Sequence, residues 1–244
     1  MSILTATEIQ KRFGLVTALE DVSIEVAGHE IHGLIGPNGS GKSTLLHVIA
    51  GKTLPDAGVV RLGGRDITKD PPSKRARQGL SIKFQLARVY REQTVAENLL
   101  LALQARDGLA SLMLSRSRRR LRPQLDSLLE SVGLTDARDR PAGELSHGQQ
   151  QWLEIAMAMA TEPKVLLLDE PTAGMSRQER SRTGEVIRAA SQRCAVVIVE
   201  HDLDFIRELC DRIAVLHQGR SVATGTPAEI ERNPSVAEVY LTRV

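Results

Sequence analysis

The stretch "GPNGSGKS", Gly36 to Ser43, decides the fold class of this chain. It fits the pattern G-x-x-x-x-G-K-[ST], and it lies between the apolar run Ile31 to Ile35 and "STLLHVIAG", which has helical spacing. Glycines let the backbone curl so that successive amides face one anion, and the following helix adds its positive N-terminus. The sequence therefore predicts a strand, a phosphate-binding loop and a helix, with Lys42 contacting phosphate and Ser43 offering a hydroxyl to Mg²⁺.

Two carboxylates follow a second apolar run. The stretch "VLLLDE", Val165 to Glu170, is typical of a buried parallel strand, which would deliver Asp169 to the carboxyl edge of the sheet beside the phosphate loop. There Asp169 can hold Mg²⁺, and Glu170 is suited to orient or deprotonate an attacking water. The alternative is a strand that ends in two solvated acids, and the phosphate loop in the same chain favours the functional interpretation.

The stretch "VVIVEHD", Val196 to Asp202, repeats this geometry with a histidine. His201 would lie at the same sheet edge, within reach of a γ-phosphate. A lone histidine is more often structural, and only the placement of the strand beside the loop favours a functional role. The remaining histidines (29, 32, 47, 147 and 217) lack ligand spacing such as H-x-x-x-H, so no metal site is predicted on them.

The stretch "LSHGQQQWLEI", Leu145 to Ile155, combines polar residues with the start of a helix. Ser146 and Gln149 form the pattern of a capping box, and the free amides beyond Ser146 make a second anion-binding turn. A well-capped helix with no further role is the alternative. The presence of a phosphate loop elsewhere in the chain favours a phosphate contact.

Strand and helix patterns alternate along most of the chain. The predicted fold class is α/β: a P-loop nucleoside triphosphatase core with a mostly parallel sheet, an antiparallel β subdomain and an inserted helical subdomain. A hairpin is expected at Gly63 and Gly64, and the block Thr94 to Glu144 is helical in character. The predicted divisions of a single 244-residue domain are residues 1–85 and 160–225 for the core with its β subdomain, 86–159 for the helical subdomain and 226–244 for a C-terminal helical tail.

Composition excludes several classes of protein. The net charge of +2 and the aromatic content of 2% argue against nucleic acid as a partner. Two cysteines, Cys194 and Cys210, lack CxxC spacing and indicate a reduced compartment. No secretory signal is visible at Met1 to Thr7, and the apolar runs fall short of the roughly 20 residues of a membrane span. We expect a cytoplasmic protein that acts at a membrane only from outside the bilayer.

Five stretches in order resemble the ATP-binding cassette ATPases of transporters: "GPNGSGKST", "KFQ" (Lys83 to Gln85), "LSHGQQQ", "VLLLDEP" and "VEHD". The resemblance covers essentially the whole chain. It implies that two ATPase subunits enclose two ATP molecules, the "LSGGQ"-like turn of one closing over the ATP held by the other. The implied partners are a second ATPase subunit, expected to be a different chain, transmembrane permease subunits, and indirectly a substrate-binding protein. The implied location is the inner face of the cell membrane.

The resemblance also implies the role of each site residue. Glu170, His201 and Gln85 would be catalytic, and Ser43, Gln85 and Asp169 would hold Mg²⁺. Phe13 lies where the family places an aromatic ring that stacks on adenine. The residues implied to bind ATP are Phe13, Gly36, Pro37, Asn38, Gly39, Ser40, Gly41, Lys42, Ser43, Thr44, Ser146, Gly148 and Gln149.

Two stretches depart from the family pattern, and the second of them points to a branch. His147 replaces the first glycine of the "LSGGQ" pair, and "PTAGMS" (Pro171 to Ser176) replaces the common S-A-L-D form in a way that resembles importers of branched-chain amino acids and amides. Within that branch, "LSHGQQQWLEIAM", "DEPTAGM", "VEHDLDF" and "VAEVYL" resemble urea importers most. Urea is therefore the expected cargo, and branched-chain amino acids are the alternative.

Two other functions remain as alternatives. A DNA-repair ATPase of the same superfamily would carry a long coiled coil, and no sustained heptads occur between Gln85 and Ser146. A small-molecule kinase or GTPase would leave Ser146 and His201 unexplained. The arginine-rich run Ser115 to Arg122 suits anionic lipid or an acidic partner surface, with a solvated helix face as the default interpretation.

Overall fold

The computed structural model describes residues 2–83, 89–105 and 117–241. The strands of this part are β1 (Ser2–Phe13), β2 (Val16–Ala27), β3 (Ile31–Ile35), β4 (Ala57–Leu62), β5 (Arg65–Asp66), β6 (Leu80–Lys83), β7 (Val165–Asp169), β8 (Ala195–Val199), β9 (Arg212–His217) and β10 (Arg220–Gly225). The α-helices are α1 (Lys42–Ala50), α2 (Pro72–Arg77), α3 (Val95–Gln104), α4 (Ser117–Val132), α5 (His147–Met159), α6 (Arg177–Ser191), α7 (Leu203–Leu209), α8 (Pro227–Glu231) and α9 (Pro234–Leu241).

The described strands form two sheets. The larger has the order β10-β9-β3-β8-β7-β6 and is parallel except for the edge pair β10 and β9. The smaller is antiparallel, with the order β2-β1-β4-β5, and its hairpin between β4 and β5 turns at Gly63 and Gly64 as expected. The predicted α/β class, with a mostly parallel sheet and a separate antiparallel sheet, is confirmed.

The central strands of the larger sheet are apolar throughout because both of their faces are covered. In β7, Val165 and Leu167 belong to one buried cluster, while Leu166 and Leu168 belong to another. The residues of β8 alternate between the same two clusters. This is why "VLLL" is a continuous apolar run rather than an alternating one.

Strand register brings the ends of β3, β8 and β7 to one level. Leu34 of β3 pairs with Val199 of β8, and Val199 in turn pairs with Asp169 of β7. Since the three strands are parallel, the residues that follow each of them leave the sheet at the same edge. The phosphate loop, the carboxylates and the histidine segment therefore start side by side.

The described part of the segment between the sheet strands β6 and β7 contains the helices α3, α4 and α5. Helix α3 begins with a capping box, in which the backbone amide of Glu97 donates to Thr94 Oγ1 at 3.1 Å. Helix α4 buries one face, formed by Leu125, Leu128, Leu129 and Val132, as its spacing predicts. The arginine-rich run starts outside the described residues, and its part from Ser117 onward lies in the first turns of α4.

None of the helices in the described part of the chain combines the length and the apolar content that a membrane span requires.

One arginine of helix α2 ties the C-terminus of α1 to the segment that follows β5. Arg75 is fully buried, and its guanidinium donates to the carbonyls of Val48 at 2.7 Å and Ile49 at 2.6 Å, near the C-terminus of α1. It also donates to the carbonyls of Asp70 and Thr68, at 2.8 and 2.7 Å. A cation near the C-terminus of a helix is favourable, and here it satisfies four carbonyls at once.

Replacing Arg75 by methionine should lower the free energy of unfolding by roughly 3 kcal/mol, because buried carbonyls would lose a charged donor. Urea unfolding followed by circular dichroism measures the loss. The matched control is Arg77→Met, two residues further on the same helix, where the side chain is exposed. Equal stability of the two variants would contradict the anchoring role.

Candidate functional site

The phosphate loop depends on glycine at Gly36. Its φ of +147° is a conformation that other residues rarely adopt, and a Cβ there would lie 2.0 Å from the carbonyl oxygen of Leu216. Close approach of the loop to β9 thus requires the absence of a side chain. The opposite end of the loop is tied as well, since the amide of Gly219 donates to the carbonyl of Ser40 at 3.0 Å.

Lys42 and Ser43 begin helix α1 directly after the loop. The Lys42 ammonium donates to the carbonyls of Gly36 at 2.8 Å and Pro37 at 2.9 Å, so it is held against the loop. Ser43 is exposed and Thr44 is half-buried. Helix α1 packs on β7, the strand that ends at Asp169. The hydroxyl of Ser43 and the carboxylate of Asp169 are hard oxygen donors, the ligand type that Mg²⁺ prefers.

The two acids at the end of β7 have different environments. Asp169 is buried, with 4% of its surface exposed, and Glu170 is half-buried. Glu170 has φ of +45°, a left-handed conformation that costs free energy for a non-glycine residue, and its amide donates to the carbonyl of Val199 at 2.9 Å. The backbone therefore turns sharply at Glu170, under the control of a hydrogen bond to β8.

Glu200 was not among the residues predicted from sequence, yet it is bonded to the segment that follows Glu170. It is fully buried, and its Oε1 accepts from the amide of Thr172 at 2.9 Å and from the Thr172 hydroxyl at 2.6 Å. Burial raises the pKa of Glu200, against the lowering effect of the Thr172 hydrogen bonds. One feature of the sequence could have indicated this role. Glu200 directly follows five apolar residues, a place where a solvated surface residue would be unusual.

His201 follows Glu200 and points its side chain away from the core. The side chain is 63% exposed, and its Nδ1 lies 3.8 Å from Glu200 Oε2. The backbone amide of His201 donates to the same oxygen at 3.4 Å. The buried carboxylate thus connects the turn after β7 to the turn after β8, and the imidazole remains accessible at the edge of the sheet.

The predicted capping box at the start of α5 is present. The amide of Gln149 donates to Ser146 Oγ at 3.2 Å, and the amide of Ser146 donates to Gln149 Oε1 at 3.0 Å. His147 Nε2 lies 3.2 Å from the carbonyl oxygen of Ala173, in the turn that follows β7. This turn, which the sequence predicts to bind an anion, belongs to a different element from the phosphate loop at α1.

The remaining predicted residues differ in how far the structure describes them. Phe13 is 51% exposed at the end of β1, and the Lys11 ammonium lies 5.4 Å from its ring centroid. A flat, exposed aromatic face is available there for stacking. Asn38 and Gly39 are exposed in the loop. Gln85 lies outside the described residues.

Comparisons with known proteins agree in one family. The model of the ABC transporter family matches residues 19–173. The high-affinity branched-chain amino acid transport ATP-binding protein LivG of Salmonella typhimurium is 38% identical, over 98% of this chain and 97% of LivG. Its counterpart BraF of Pseudomonas aeruginosa is 37% identical over 98% and 97%.

A solved structure has the same fold along its whole length. The crystal structure of the ADP conformation of MJ1267, an ATP-binding cassette of an ABC transporter, matches with a TM-score of 0.85 and 33% sequence identity. The match covers 99% of both chains.

The raised pKa of Glu200 predicts a specific pH dependence of stability. A carboxyl whose pKa is higher in the folded than in the unfolded chain stabilises the fold below its ordinary value of 4.5, and this contribution is lost as pH rises through the folded-state pKa. Glutamine at position 200 does not titrate. Relative to Glu200→Gln, the wild-type protein should therefore lose unfolding free energy as pH rises, by at most about 1.4 kcal/mol per pH unit for one proton.

Urea unfolding at pH 4.5, 6.0 and 7.5 measures this difference. Glu208→Gln is the control, because Glu208 is exposed on helix α7 nearby. Parallel stability curves for the wild type and the Glu200 variant would show that the buried carboxyl does not titrate as proposed.

Proposed function

This chain belongs to the ABC transporter family as an ATP-binding subunit with ATPase activity, and we propose that its ATP hydrolysis drives import of branched-chain amino acids. The observation that carries the hydrolytic part is the register of the parallel strands. Leu34, Val199 and Asp169 lie at one level, so the loop, the carboxylates and the histidine segment share one edge of the sheet. Phosphate-binding and water-activating groups are needed together in phosphoryl transfer.

Each residue at this edge has a role in the proposal. The loop amides and the Lys42 ammonium bind the phosphates, and this requires the ammonium to exchange the carbonyls of Gly36 and Pro37 for phosphate oxygens. Glu170 accepts a proton from the attacking water or orients it. His201, with its exposed imidazole beside the rigid Glu200 segment, contacts the γ-phosphate.

The donor set fits a bound Mg²⁺ ion. Ser43 and Asp169 would hold the ion, and the ion would neutralise charge on the phosphates. Gln85 is proposed as a further ligand from the resemblance, and Phe13 as the platform for adenine. Ser43 is exposed while Asp169 is buried, so the ion would lie at the boundary between solvent and the sheet.

We further propose that the site is completed by a second ATPase subunit. The capped start of α5, with Ser146, Gly148 and Gln149, is a second anion-binding turn on a separate element, and it suits the phosphate of an ATP held by the partner. The partner is proposed to be a different chain. Residues 86–159 are proposed as the helical subdomain that carries this turn.

Transmembrane permease subunits and, through them, a substrate-binding protein are the proposed partners of the assembly. The chain is proposed to act at the cytoplasmic face of the membrane. ATP-driven closure of the two ATPase subunits would move the permeases, and hydrolysis would reopen them.

The relatives favour branched-chain amino acids over urea as the cargo. LivG and BraF match this chain almost end to end, and both are described as branched-chain amino acid transport proteins. Urea is the second candidate, supported by the stretches "LSHGQQQWLEIAM", "DEPTAGM" and "VAEVYL". The two candidates share the same ATPase chemistry, so they differ only in the proteins that this subunit serves.

Replacing Glu170 by glutamine should lower the ATP hydrolysis rate at least about 100-fold while ATP still binds, because glutamine retains the shape but cannot accept the proton. ATP should then hold the two ATPase subunits together. Phosphate release and light scattering with ATP measure the two effects in the assembly that co-purifies with this chain.

Glu130→Gln on α4 is the control, since it removes an exposed carboxylate elsewhere on the chain. A Glu170 variant that hydrolyses ATP at the wild-type rate would refute the assigned role.

Deletion of this chain should abolish uptake of labelled leucine and leave uptake of labelled urea intact. Reintroduction of the wild-type chain should restore leucine uptake, and reintroduction of the Glu170→Gln variant should not. Loss of urea uptake alone would establish the second candidate instead.

A further inference from the structure

Glu179 places a negative charge at the second anion-binding turn of its own chain. It is the third residue of helix α6, and one of its carboxylate oxygens, Oε2, accepts from the amide of Ser176 at 3.0 Å and from the Ser176 hydroxyl at 2.8 Å. These contacts are the capping box of α6. The other oxygen, Oε1, extends away from this cap to the start of α5.

Oε1 of Glu179 contacts two of the groups proposed to bind the partner's ATP. The hydroxyl of Ser146 lies 3.4 Å from it, and Gly148 lies directly beside it. A Cβ at Gly148 would lie 2.7 Å from Oε1, so the glycine leaves the space that the carboxylate occupies. Hydrogen bonds from Ser176 hold the pKa of Glu179 below its ordinary value, with smaller contributions from Ser146 and Gly148, and the group is charged at neutral pH.

A second contact ties the same two segments together. His147 Nε2 lies 3.2 Å from the carbonyl oxygen of Ala173, which is four residues after the end of β7 at Asp169 and three after Glu170. The start of α5 is therefore joined to the turn that leads from the hydrolytic acid to α6. Both contacts lie within one chain.

We propose that the Glu179 carboxylate occupies the anion-binding turn of its own chain and competes there with the phosphate of the partner's ATP. This inference rests on the proposed function, which supplies the phosphate. The carboxylate contacts the Ser146 hydroxyl and lies beside Gly148, where the phosphate would have to bind, and the two negative charges repel. Closure of the two subunits must therefore displace Glu179 Oε1, while Oε2 can keep its contacts with Ser176.

The competition sets the ATP concentration at which the subunits close. Glu179→Gln removes the charge but keeps an acceptor oxygen at the third position of α6, where glutamine also completes a capping box. Glu179→Asp keeps the charge and an acceptor, but its shorter side chain cannot reach Ser146 while it caps Ser176. Both changes weaken the contact between residue 179 and Ser146, and both leave the N-cap residue of α6, Ser176, in place.

The experiment measures the ATP midpoint of subunit closure by light scattering, in the co-purified assembly carrying Glu170→Gln. Adding Glu179→Gln should lower the midpoint about 3-fold, the size expected for one exposed charge at a helix N-terminus. Glu179→Asp should lower it in the same direction. The control is Glu185→Gln, which removes a carboxylate from the exposed face of the same helix and should leave the midpoint unchanged.

The outcomes separate this inference from the proposed function. A normal closure of the Glu170→Gln assembly with an unchanged or higher midpoint in the Glu179 variants would overturn the competition alone. A fall in melting temperature with no change of midpoint would likewise overturn it, since capping of α6 would then be the whole role. Failure of the Glu170→Gln assembly to close with ATP would overturn both.

Discussion

The register of the parallel strands is the constraint on which the rest of the structure depends. Because β3, β8 and β7 end at one level, three unrelated stretches of sequence begin at the same edge of the sheet. Burial of both faces of these strands fixes the register, since a slip of one residue would exchange the two apolar clusters. Catalytic geometry is thus a consequence of core packing, and loop residues such as Glu170 need only add local turns.

Within the single chain, the groups proposed to bind phosphate already have internal partners. The Lys42 ammonium is held by carbonyls of its own loop, and the Ser146 hydroxyl at the start of α5 donates to Glu179. Binding of ATP therefore exchanges one set of hydrogen bonds for another, and the net free energy of each exchange is far smaller than the gross strength of the bonds. We therefore expect closure of the proposed pair of subunits to be sensitive to single charges at the turn.

Sequence patterns predicted the elements whose signals are local. The phosphate loop, the capping box at Ser146 and the apolar strands all follow from short spacings, and all are present. Contacts between residues that are far apart in the sequence could not be predicted from such spacings. Arg75 looks like a surface residue in an arginine-rich and lysine-rich helix, yet it is buried against carbonyls of α1. Glu200 and Glu179 likewise act on segments far from them in sequence.

The departure from the "LSGGQ" pattern at His147 has a structural reason. At the first helical position of α5, the imidazole extends to the carbonyl of Ala173, so a side chain is accommodated there. At Gly148 a Cβ would lie 2.7 Å from Glu179 Oε1 and 3.1 Å from Glu179 Cγ, so any side chain would push the carboxylate aside. The two positions of the glycine pair therefore differ: the first tolerates a side chain that adds a contact, and a side chain at the second would displace the Glu179 carboxylate.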